Sequence, residues 1–218
     1  ALFYCDRNEI RAYMLRKLKA VSGSGADMFV TVDEVANAQM KELAAVYPVL
    51  NVDKAKDADE RFKAFIQSVF DKKVVSSVFL TGEGFENNWY PSSLKVLCNG
   101  RRAFIGNNLY SKGACYASHR RMSEDDEMPI YLDETKMMEQ VCLRMRVHGK
   151  EGWYPIVEWG SHWYESDGQW DVLLEDTSDI EIHIESLATG ELQAETVSLA
   201  GLPERNDYAL RLSIETMF

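Results

Sequence analysis

The sequence predicts a mixed α/β domain followed by an antiparallel β domain, on three observations. Charge divides the chain, since residues 1–122 contain 18 basic and 13 acidic side chains, whereas residues 123–218 contain 6 and 22. Helical and strand patterns alternate in the first part, with a glycine turn between them. Apolar residues recur at every second position in the second part. We therefore expect two domains, 1–122 and 123–218.

Length, composition and charge exclude several classes of protein. The chain has 218 residues, of which 46% are hydrophobic and 27% charged, which is close to the globular average and predicts a folded core. The net charge of −11 argues against a protein that binds nucleic acid or an anionic membrane. No apolar run reaches the roughly 18–20 residues of a membrane span, and no secretory signal is present, so a cytoplasmic protein is expected.

Residue spacing predicts neither a metal site nor a catalytic group. The four cysteines lie far apart without CxxC pairs, and the four histidines show no HxxH, HxH or HExxH spacing. No nucleophile–base pair can be identified, so no catalytic residue and no metal ligand is predicted. The chain begins with Ala1 inside a strand-like segment, and we expect it to be the C-terminal part of a longer protein.

The first domain is predicted to open with a hairpin and continue with a helix. Ala1–Cys5 and Ile10–Leu15 are apolar segments on either side of a turn, which is typical of a hairpin. Thr31 or Asp33 is a candidate N-cap for a helix that would end at Pro48. The apolar face of this helix would comprise Ala36, Met40, Leu43 and Tyr47.

A second helix, a strand and a glycine turn follow. Asp57–Phe70 has the spacing of an amphipathic helix, whose apolar face comprises Phe62, Phe65, Ile66, Val69 and Phe70. Residues 74–80 form an apolar, β-branched run that leads into Gly82, as expected for a strand covered on both faces. The remaining elements are a helix over 89–99, a strand over 101–105 and a helix over 111–121.

In the second domain apolar and polar residues alternate, which is typical of strands with one buried face. The clearest segments are 141–147, 180–184 and 208–214, with turns such as Ser166–Gly168 between them. These features predict an antiparallel β-sandwich. Its aromatic residues are expected to fill the core, with an exposed binding platform as the alternative; they are Trp153, Tyr154, Trp159, Trp163, Tyr164 and Trp170.

Two glycine-containing segments resemble a nucleotide-binding signature. The strand over 78–81 ends in Gly82–Gly84, and Gly113, Ala114 and Ala117 later form a Gly-Ala-x-x-Ala pattern. Together they resemble the adenosine side of the actin, sugar-kinase and DnaK-type ATPase superfamily, in which a glycine turn lies under the adenosine and the later helix packs beside it. The residues that this resemblance assigns to the nucleotide are Gly82, Glu83, Gly84, Gly113 and Ala114.

The opening hairpin resembles the phosphate turn of the same superfamily, and Asp6 is the further residue assigned to the nucleotide. In the family an Asp-x-Gly-x-Gly turn wraps the β- and γ-phosphates, and Asp6 matches its acidic position. Asn8 and Ile10 stand where the glycines would, and Glu9 adds negative charge beside a polyanion. Hydrolysis is therefore expected to be weak or absent in this chain. ATP with Mg²⁺ is implied as a cofactor only of a full-length protein that includes the other half of the ATPase.

The tail resembles the peptide-binding domain of DnaK-type chaperones. In that domain a Leu-x-Gly-[Leu/Ile]-Pro turn precedes the final strand, and residues 199–203 match this pattern. As a whole, the chain resembles the C-terminal half of a divergent bacterial DnaK (heat-shock-70-type)/actin-like protein. The resemblance implies a ribonuclease-H-like ATPase lobe followed by a β-sandwich that binds a protein or peptide partner.

Three functions are open from the sequence. The first is a nucleotide-responsive or chaperone-like protein, which requires the Gly82–Gly84 turn to be open to solvent. The second is a non-catalytic protein-interaction scaffold, in which the same turn can be buried under Phe85 or Trp89. The third is a carbohydrate-binding β-sandwich, which requires aromatic side chains on one exposed face.

Overall fold

The computed structural model of this protein describes residues 1–20, 28–41, 43, 51–106, 108–122, 129–174, 177–202 and 210–217. The chain divides into two compact units. Unit 1 comprises Ala1–Arg16 and Val32–Asp126, and unit 2 comprises Lys17–Thr31 and Glu127–Phe218. Pro203, which completes the chaperone-like turn motif, lies outside the described residues.

A mixed sheet forms the base of unit 1. Its strands in chain order are β1 (Leu2–Cys5), β2 (Glu9–Leu18), β3 (Phe29–Gln39), β4 (Ser77–Thr81) and β5 (Arg102–Ile105). They lie in the order β5-β4-β1-β2-β3, and the outer ends of β2 and β3 count with unit 2. β1 is antiparallel to β2 and parallel to β4, which is in turn parallel to β5. The predicted opening hairpin is confirmed, with Cys5 opposite Ile10.

Helix α1 (Val52–Phe70) packs its apolar face into the core of unit 1. It begins after Asn51, whose side chain accepts a hydrogen bond from the Lys54 backbone N–H. Most of the predicted apolar face is buried, namely Phe62, Ile66, Val69 and Phe70, and Phe65 is partly buried beside it. The ring of Phe62 meets the ring of Phe3 of β1 edge to face, with centroids 5.6 Å apart. The predicted amphipathic helix is therefore confirmed.

Two further helices follow the glycine turn. They are α2 (Pro91–Leu97) and α3 (Leu109–Met122), and the predicted strand between them is β5. The first turn of α2 is held by the buried carboxylate of Asp59, which accepts hydrogen bonds from the backbone N–H groups of Ser92 and Ser93 at 2.7 and 2.8 Å. Asp59 thus connects α1 to α2.

The helix predicted from Thr31 or Asp33 is wrong, because residues 29–39 form strand β3. The spacing of Ala36 and Met40 suggested a helix, but the segment pairs with β2 in the sheet. Long-range pairing outweighs a weak helical pattern, especially where β-branched residues such as Val32 are frequent. Met40 and Leu43 are buried as expected, with Met40 directly after the end of β3, and Tyr47 and Pro48 lie outside the described residues.

Unit 2 is built from antiparallel strands. One sheet has the order β11-β10-β7-β8, and a second pairs β12 with β9. The strands are β7 (Glu139–Val147), β8 (Lys150–Val157), β9 (Gly168–Leu174), β10 (Asp179–Ser186), β11 (Leu192–Ser198) and β12 (Leu210–Thr216). The short strand β6 (Ile130–Tyr131) lies parallel to the start of β3. The chain is therefore mixed α/β in unit 1 and largely β in unit 2.

The aromatic residues of unit 2 do not fill its core, so that expectation is wrong. Only Trp159 packs against the small buried cluster, with its ring 6.2 Å from that of Phe29. Of the six aromatic residues that were expected in the core, four are exposed, namely Trp153, Trp163, Tyr164 and Trp170. These residues do not form one continuous platform through their ring contacts in the described part of the chain. Trp163 contacts Tyr164, whereas Trp153 stacks on His183.

Candidate functional site

The carboxyl ends of parallel strands bring two of the predicted site segments together. β1 and β4 lie side by side and parallel, so that the turns after Cys5 and Thr81 leave the sheet at the same edge. The first turn begins with Asp6 and the second comprises Gly82–Gly84. Ligands of open α/β sheets bind at this edge. The candidate site is therefore a real juxtaposition in the fold.

The glycine turn is pressed directly against the end of β1. A β-carbon added at Gly82 would overlap the carbonyl oxygen of Cys5, and one added at Gly84 would overlap the carbonyl oxygen of Asp6 and the thiol of Cys5. Gly82 also has a φ of +103°, which favours glycine. Packing within the protein alone therefore accounts for both glycines.

One side of the turn is covered by aromatic rings. The Trp89 indole N–H donates a 2.6 Å hydrogen bond to the carbonyl oxygen of Gly84, and both residues are buried. The ring of Phe85 stacks parallel to that of Trp89 with centroids 6.3 Å apart. Gly82 is half-buried and Glu83 is exposed. The turn is thus closed at Gly84 and partly open at its beginning.

The turn after β1 is occupied by its own carboxylate. Asp6 Oδ1 accepts hydrogen bonds from the backbone N–H groups of Asn8 and Glu9, each 2.7 Å long. The Asp6 N–H donates in turn to the carbonyl oxygen of Glu9 at 3.1 Å. Backbone N–H groups of such a turn are what an anion such as phosphate would bind. Here an internal anion already binds two of them.

Charge and burial around the two turns do not favour a second anion. Arg7 and Glu83 form an exposed ion pair of 3.6 Å between the turns. Burial raises the pKa of the Cys5 thiol well above its usual range, and the Asp6 carboxylate raises it further, so the thiol stays protonated. Burial also raises the pKa of the Tyr90 hydroxyl, which finds no hydrogen-bond partner among the described residues. The interior under the turn is neutral.

Gly113 and Ala114 are exposed, unlike the tightly packed Gly82 and Gly84. Both are exposed on α3, a helix that buries none of its residues. A β-carbon added at Gly113 would have no atom within 4 Å. The close helix packing that the resemblance implies for the Gly-Ala pattern is therefore not found in the described part of the chain.

A polar cluster in unit 2 was not anticipated from the sequence. Thr135 Oγ1 lies 2.6 Å from Asp133 Oδ1 and 3.0 Å from His162 Nδ1. The hydroxyl has one proton and donates it to the carboxylate, so His162 must donate to the hydroxyl oxygen and cannot act as its base. The side-chain and backbone hydrogen bonds from Thr135 lower the pKa of Asp133. The cluster therefore fixes a loop; its members are too far apart in sequence to form a readable motif.

The described ranges contain neither a metal-binding cluster nor a membrane-spanning helix. No group of three His, Cys, Asp or Glu side chains in those ranges is arranged to hold a metal ion. None of the helices that the structure describes is both long and apolar enough to cross a membrane.

The fold and the site define a protein with an α/β unit, whose sheet edge carries two tightly packed turns, and an antiparallel β unit. A family model described as "Family of unknown function (DUF5716) C-terminal" matches residues 1–134, more than half of the chain, and the chain belongs to this family. A second model, described as "Domain of unknown function (DUF8552)", matches residues 136–218. A comparison with curated proteins found no match.

Proposed function

We propose that this chain is a non-catalytic protein-interaction scaffold derived from the DnaK/actin-like ATPase superfamily. Unit 1 keeps the ancestral fold without binding a nucleotide, and unit 2 binds a protein or peptide partner. The observation that carries the proposal is the turn after β1, in which the Asp6 carboxylate binds the N–H groups of Asn8 and Glu9. A phosphate group would have to displace this carboxylate before it could bind there.

The arrangement of unit 1 supports the proposed ancestry. The opening hairpin and the glycine-turn strand β4 are neighbours in one sheet, and Gly82 follows directly after β4 ends at Thr81. The helix with the Gly-Ala pattern follows β5. These are the placements that the resemblance implies. Unit 2 supports it more coarsely, because its strands are antiparallel like those of a β-sandwich.

The loss of nucleotide binding is supported by the glycine turn as well. Gly84 is buried beneath Trp89, and its carbonyl oxygen is already bound by the indole N–H. A nucleotide on this edge would also face the exposed carboxylate of Glu83. Polyanions bind where N–H groups and positive charge are available. Here Asp6 already binds two of the N–H groups, and the Arg7 guanidinium is paired with Glu83.

Calorimetric titration of Mg-ATP and Mg-ADP into the full-length protein tests the proposal. We expect no binding heat and no change in melting temperature at millimolar nucleotide. A dissociation constant in the micromolar range, which corresponds to about −8 kcal/mol, would contradict it and favour the nucleotide-responsive alternative.

Two matched variants would show whether any binding heat that is observed comes from the carboxyl edge of unit 1. Glu83→Trp places a bulky side chain at the exposed position of the glycine turn without changing either glycine. Lys95→Trp introduces the same bulky side chain at an exposed position of α2. Binding at the carboxyl edge would be lost in the first variant only. Heat that survives both variants would come from another site and would leave the proposed loss of this one in place.

A further inference from the structure

Unit 2 contains a strand whose outer edge is open. β11 is the outermost strand of the four-stranded sheet and pairs along one edge with β10. All seven of its residues are exposed. Among the described residues no other strand pairs with it. A sheet edge of this kind presents backbone N–H and C=O groups that another chain can bind.

The register shows which backbone groups face outward. The Leu199 N–H donates to the carbonyl oxygen of Ser178, and the Ser186 N–H donates to that of Glu191. Hydrogen-bonded and non-hydrogen-bonded pairs alternate along antiparallel strands. The register, with Ile182 opposite Glu195, therefore assigns residues 191, 193, 195, 197 and 199 to bonds with β10. The backbone groups that point away from β10 belong to Leu192, Ala194, Thr196 and Ser198.

The opposite edge of the same sheet, formed by β8, is protected against the addition of another strand, whereas the β11 edge is not. β8 contains Pro155, which has no N–H to donate, and begins with the charged Lys150. Its pairing with β7 also shifts register between Val141 and Cys142. Proline, lysine and irregular pairing are the devices by which proteins block unwanted strand addition. β11 has none of them.

The charge of the hairpin formed by β10 and β11 selects the partner. Residues 179–198 contain five carboxylates and no lysine or arginine. Arg144 neutralises Glu181 from β7, but in the part of the chain that is described neither Glu191 nor Glu195 has a basic partner. The wider segment 123–218 has 22 acidic and 6 basic side chains. A strand that pairs with β11 is therefore stabilised by positive charge.

We propose that β11 binds an extended, basic segment of a partner protein as an additional strand of the sheet. Backbone hydrogen bonds to Ala194 and Thr196 supply affinity, and lysine or arginine beside Glu195 supplies specificity. Neighbouring strands lie about 4.7–4.9 Å apart, so a basic side chain beside Glu195 can reach its carboxylate. The proposal rests on the proposed function only in taking unit 2 as the part that binds a partner.

A second copy of this chain fits the edge poorly. If two copies of β11 paired antiparallel over their full length, the central residue Glu195 would face its own counterpart. Because the outward groups belong to even-numbered positions, that pair would be non-hydrogen-bonded, with the two side chains at their closest spacing. Two carboxylates directly opposite one another destabilise a sheet. Charge therefore favours a basic partner over self-association.

Fluorescence anisotropy with a labelled peptide tests the proposal. The probe alternates valine and lysine and is as long as β11, 7 residues, so that one face carries lysines beside Glu195 and the other carries valines beside Ala194. The control peptide alternates valine and glutamate. We expect the lysine peptide to bind at least about tenfold more tightly, with affinity that falls as salt is added. N-methylation of alternate amides on the edge that faces β11 should abolish binding.

Two variants separate the backbone from the charge. Thr196→Pro removes an outward N–H that β10 does not use, so we expect loss of peptide binding without loss of the fold. Glu195→Lys keeps every backbone group and should reverse the preference between the two peptides. Circular dichroism and the melting temperature verify that both variants are folded.

Equal binding of the two peptides, or unchanged binding by Thr196→Pro while it remains folded, would overturn the proposal. Concentration-dependent dimers that Thr196→Pro abolishes would also overturn it, because they would make a second copy the occupant. The nucleotide titration addresses unit 1 and the peptide titration addresses β11. Failure of one therefore remains distinguishable from failure of the other.

Discussion

Each of the two units has a sheet edge, and the backbone polar groups at these edges differ in their hydrogen bonding. At the carboxyl edge of unit 1, the N–H groups after β1 bind Asp6 and the Gly84 carbonyl oxygen binds Trp89. At the outer edge of unit 2, the register directs the backbone groups of Ala194 and Thr196 away from β10, and no other described strand pairs with them. The glycine motif that resembles a binding site is internally satisfied, whereas the plain strand is open. Backbone N–H and C=O groups that are already paired within the protein are not available to a ligand, so a motif alone does not establish a binding site.

The units also differ in how much apolar surface they bury. Unit 1 packs α1 against its sheet through a continuous group of aromatic rings around Phe62. In the described part of unit 2 the buried cluster has three members, namely Phe29, Leu132 and Leu187, with a few further buried residues such as Leu143 and Val157 outside it, and β11 buries nothing. Unit 1 is thus stabilised by its interior, and unit 2 depends more on backbone pairing and exposed side-chain pairs.

The largest effect is expected from Phe62→Ala. Phe62 is fully buried and its ring meets Phe3, Phe85 and Trp89. Its loss leaves a cavity, and the free energy of unfolding of unit 1 should fall by about 3–5 kcal/mol. Urea denaturation measures the loss, and hydrogen–deuterium exchange resolved by peptide shows where protection falls.

Tyr116→Ala on α3 is the matched control, because its side chain is exposed. It should change the free energy of unfolding by less than about 0.5 kcal/mol. The contrast between the units would be broken if Phe62→Ala reduced protection in the β10 and β11 peptides as much as in the α1 peptides.

The next effect in size is that of Asp59→Ala. The Asp59 carboxylate is buried and accepts from the Ser92 and Ser93 N–H groups and from the Ser93 hydroxyl at 2.6 Å. Its removal leaves the two N–H groups without this acceptor and should cost about 2–3 kcal/mol, whereas the Ser93 hydroxyl can still donate to the backbone carbonyl oxygen of residue 59. Thermal unfolding followed by circular dichroism measures this cost. Asp59→Asn keeps one acceptor and should lose less; an equal loss in both variants would show that charge, and not acceptance, is what matters.

A pair of glycine variants sharpens the comparison at a smaller scale. Gly84→Ala should destabilise unit 1 by about 1–3 kcal/mol, because the new β-carbon overlaps Asp6 and Cys5. Gly113→Ala should stabilise α3 by about 0.5–1 kcal/mol, because the position is open and alanine favours a helix. Differential scanning calorimetry of both variants separates the two signs. A neutral Gly84→Ala would remove the packing explanation and return this glycine to a role in ligand binding.

Much of the fold could be predicted from local patterns, and the exception is instructive. The spacing of Phe62, Ile66 and Val69 predicts α1, because a helix covering a sheet must repeat its apolar residues on one face. Residues 29–39 contain a weaker helical spacing, and only the pairing with β2 makes them a strand. Long-range pairing of this kind leaves little trace in the segment itself.

The residues of the candidate site could be predicted from the sequence, but their hydrogen bonds and burial could not. The sequence indicates that Asp6 and Gly82–Gly84 each follow a predicted strand, and only the resemblance assigns both to one nucleotide site. The sequence does not show that Asp6 binds its own turn or that Trp89 covers Gly84, because both depend on side-chain positions in three dimensions. The open edge of β11 is equally hidden, because strand order within a sheet decides which strand is outermost.

The smallest expected effect concerns the exposed pair that connects β9 and β12. The hydrogen bond from the Arg211 guanidinium lowers the pKa of the Asp171 carboxyl below its ordinary value. A lowered pKa in the folded state means that the stabilisation is present above the ordinary pKa of the unfolded chain, about 4, and is lost as the pH falls through the folded value. Both side chains are exposed, so the gain is small and decreases with salt.

Melting temperatures of the chain and of Asp171→Asn between about pH 7 and pH 3 measure this contribution. The variant should melt slightly earlier at neutral pH and should lose less stability on acidification. Glu195→Gln is the control, because Glu195 has no basic partner in the described ranges and its removal leaves no broken pair. If Asp171→Asn and Glu195→Gln respond to acid alike, the pair does not stabilise unit 2, and the backbone pairing and the Gln169–Ser213 hydrogen bond join β9 to β12 without it.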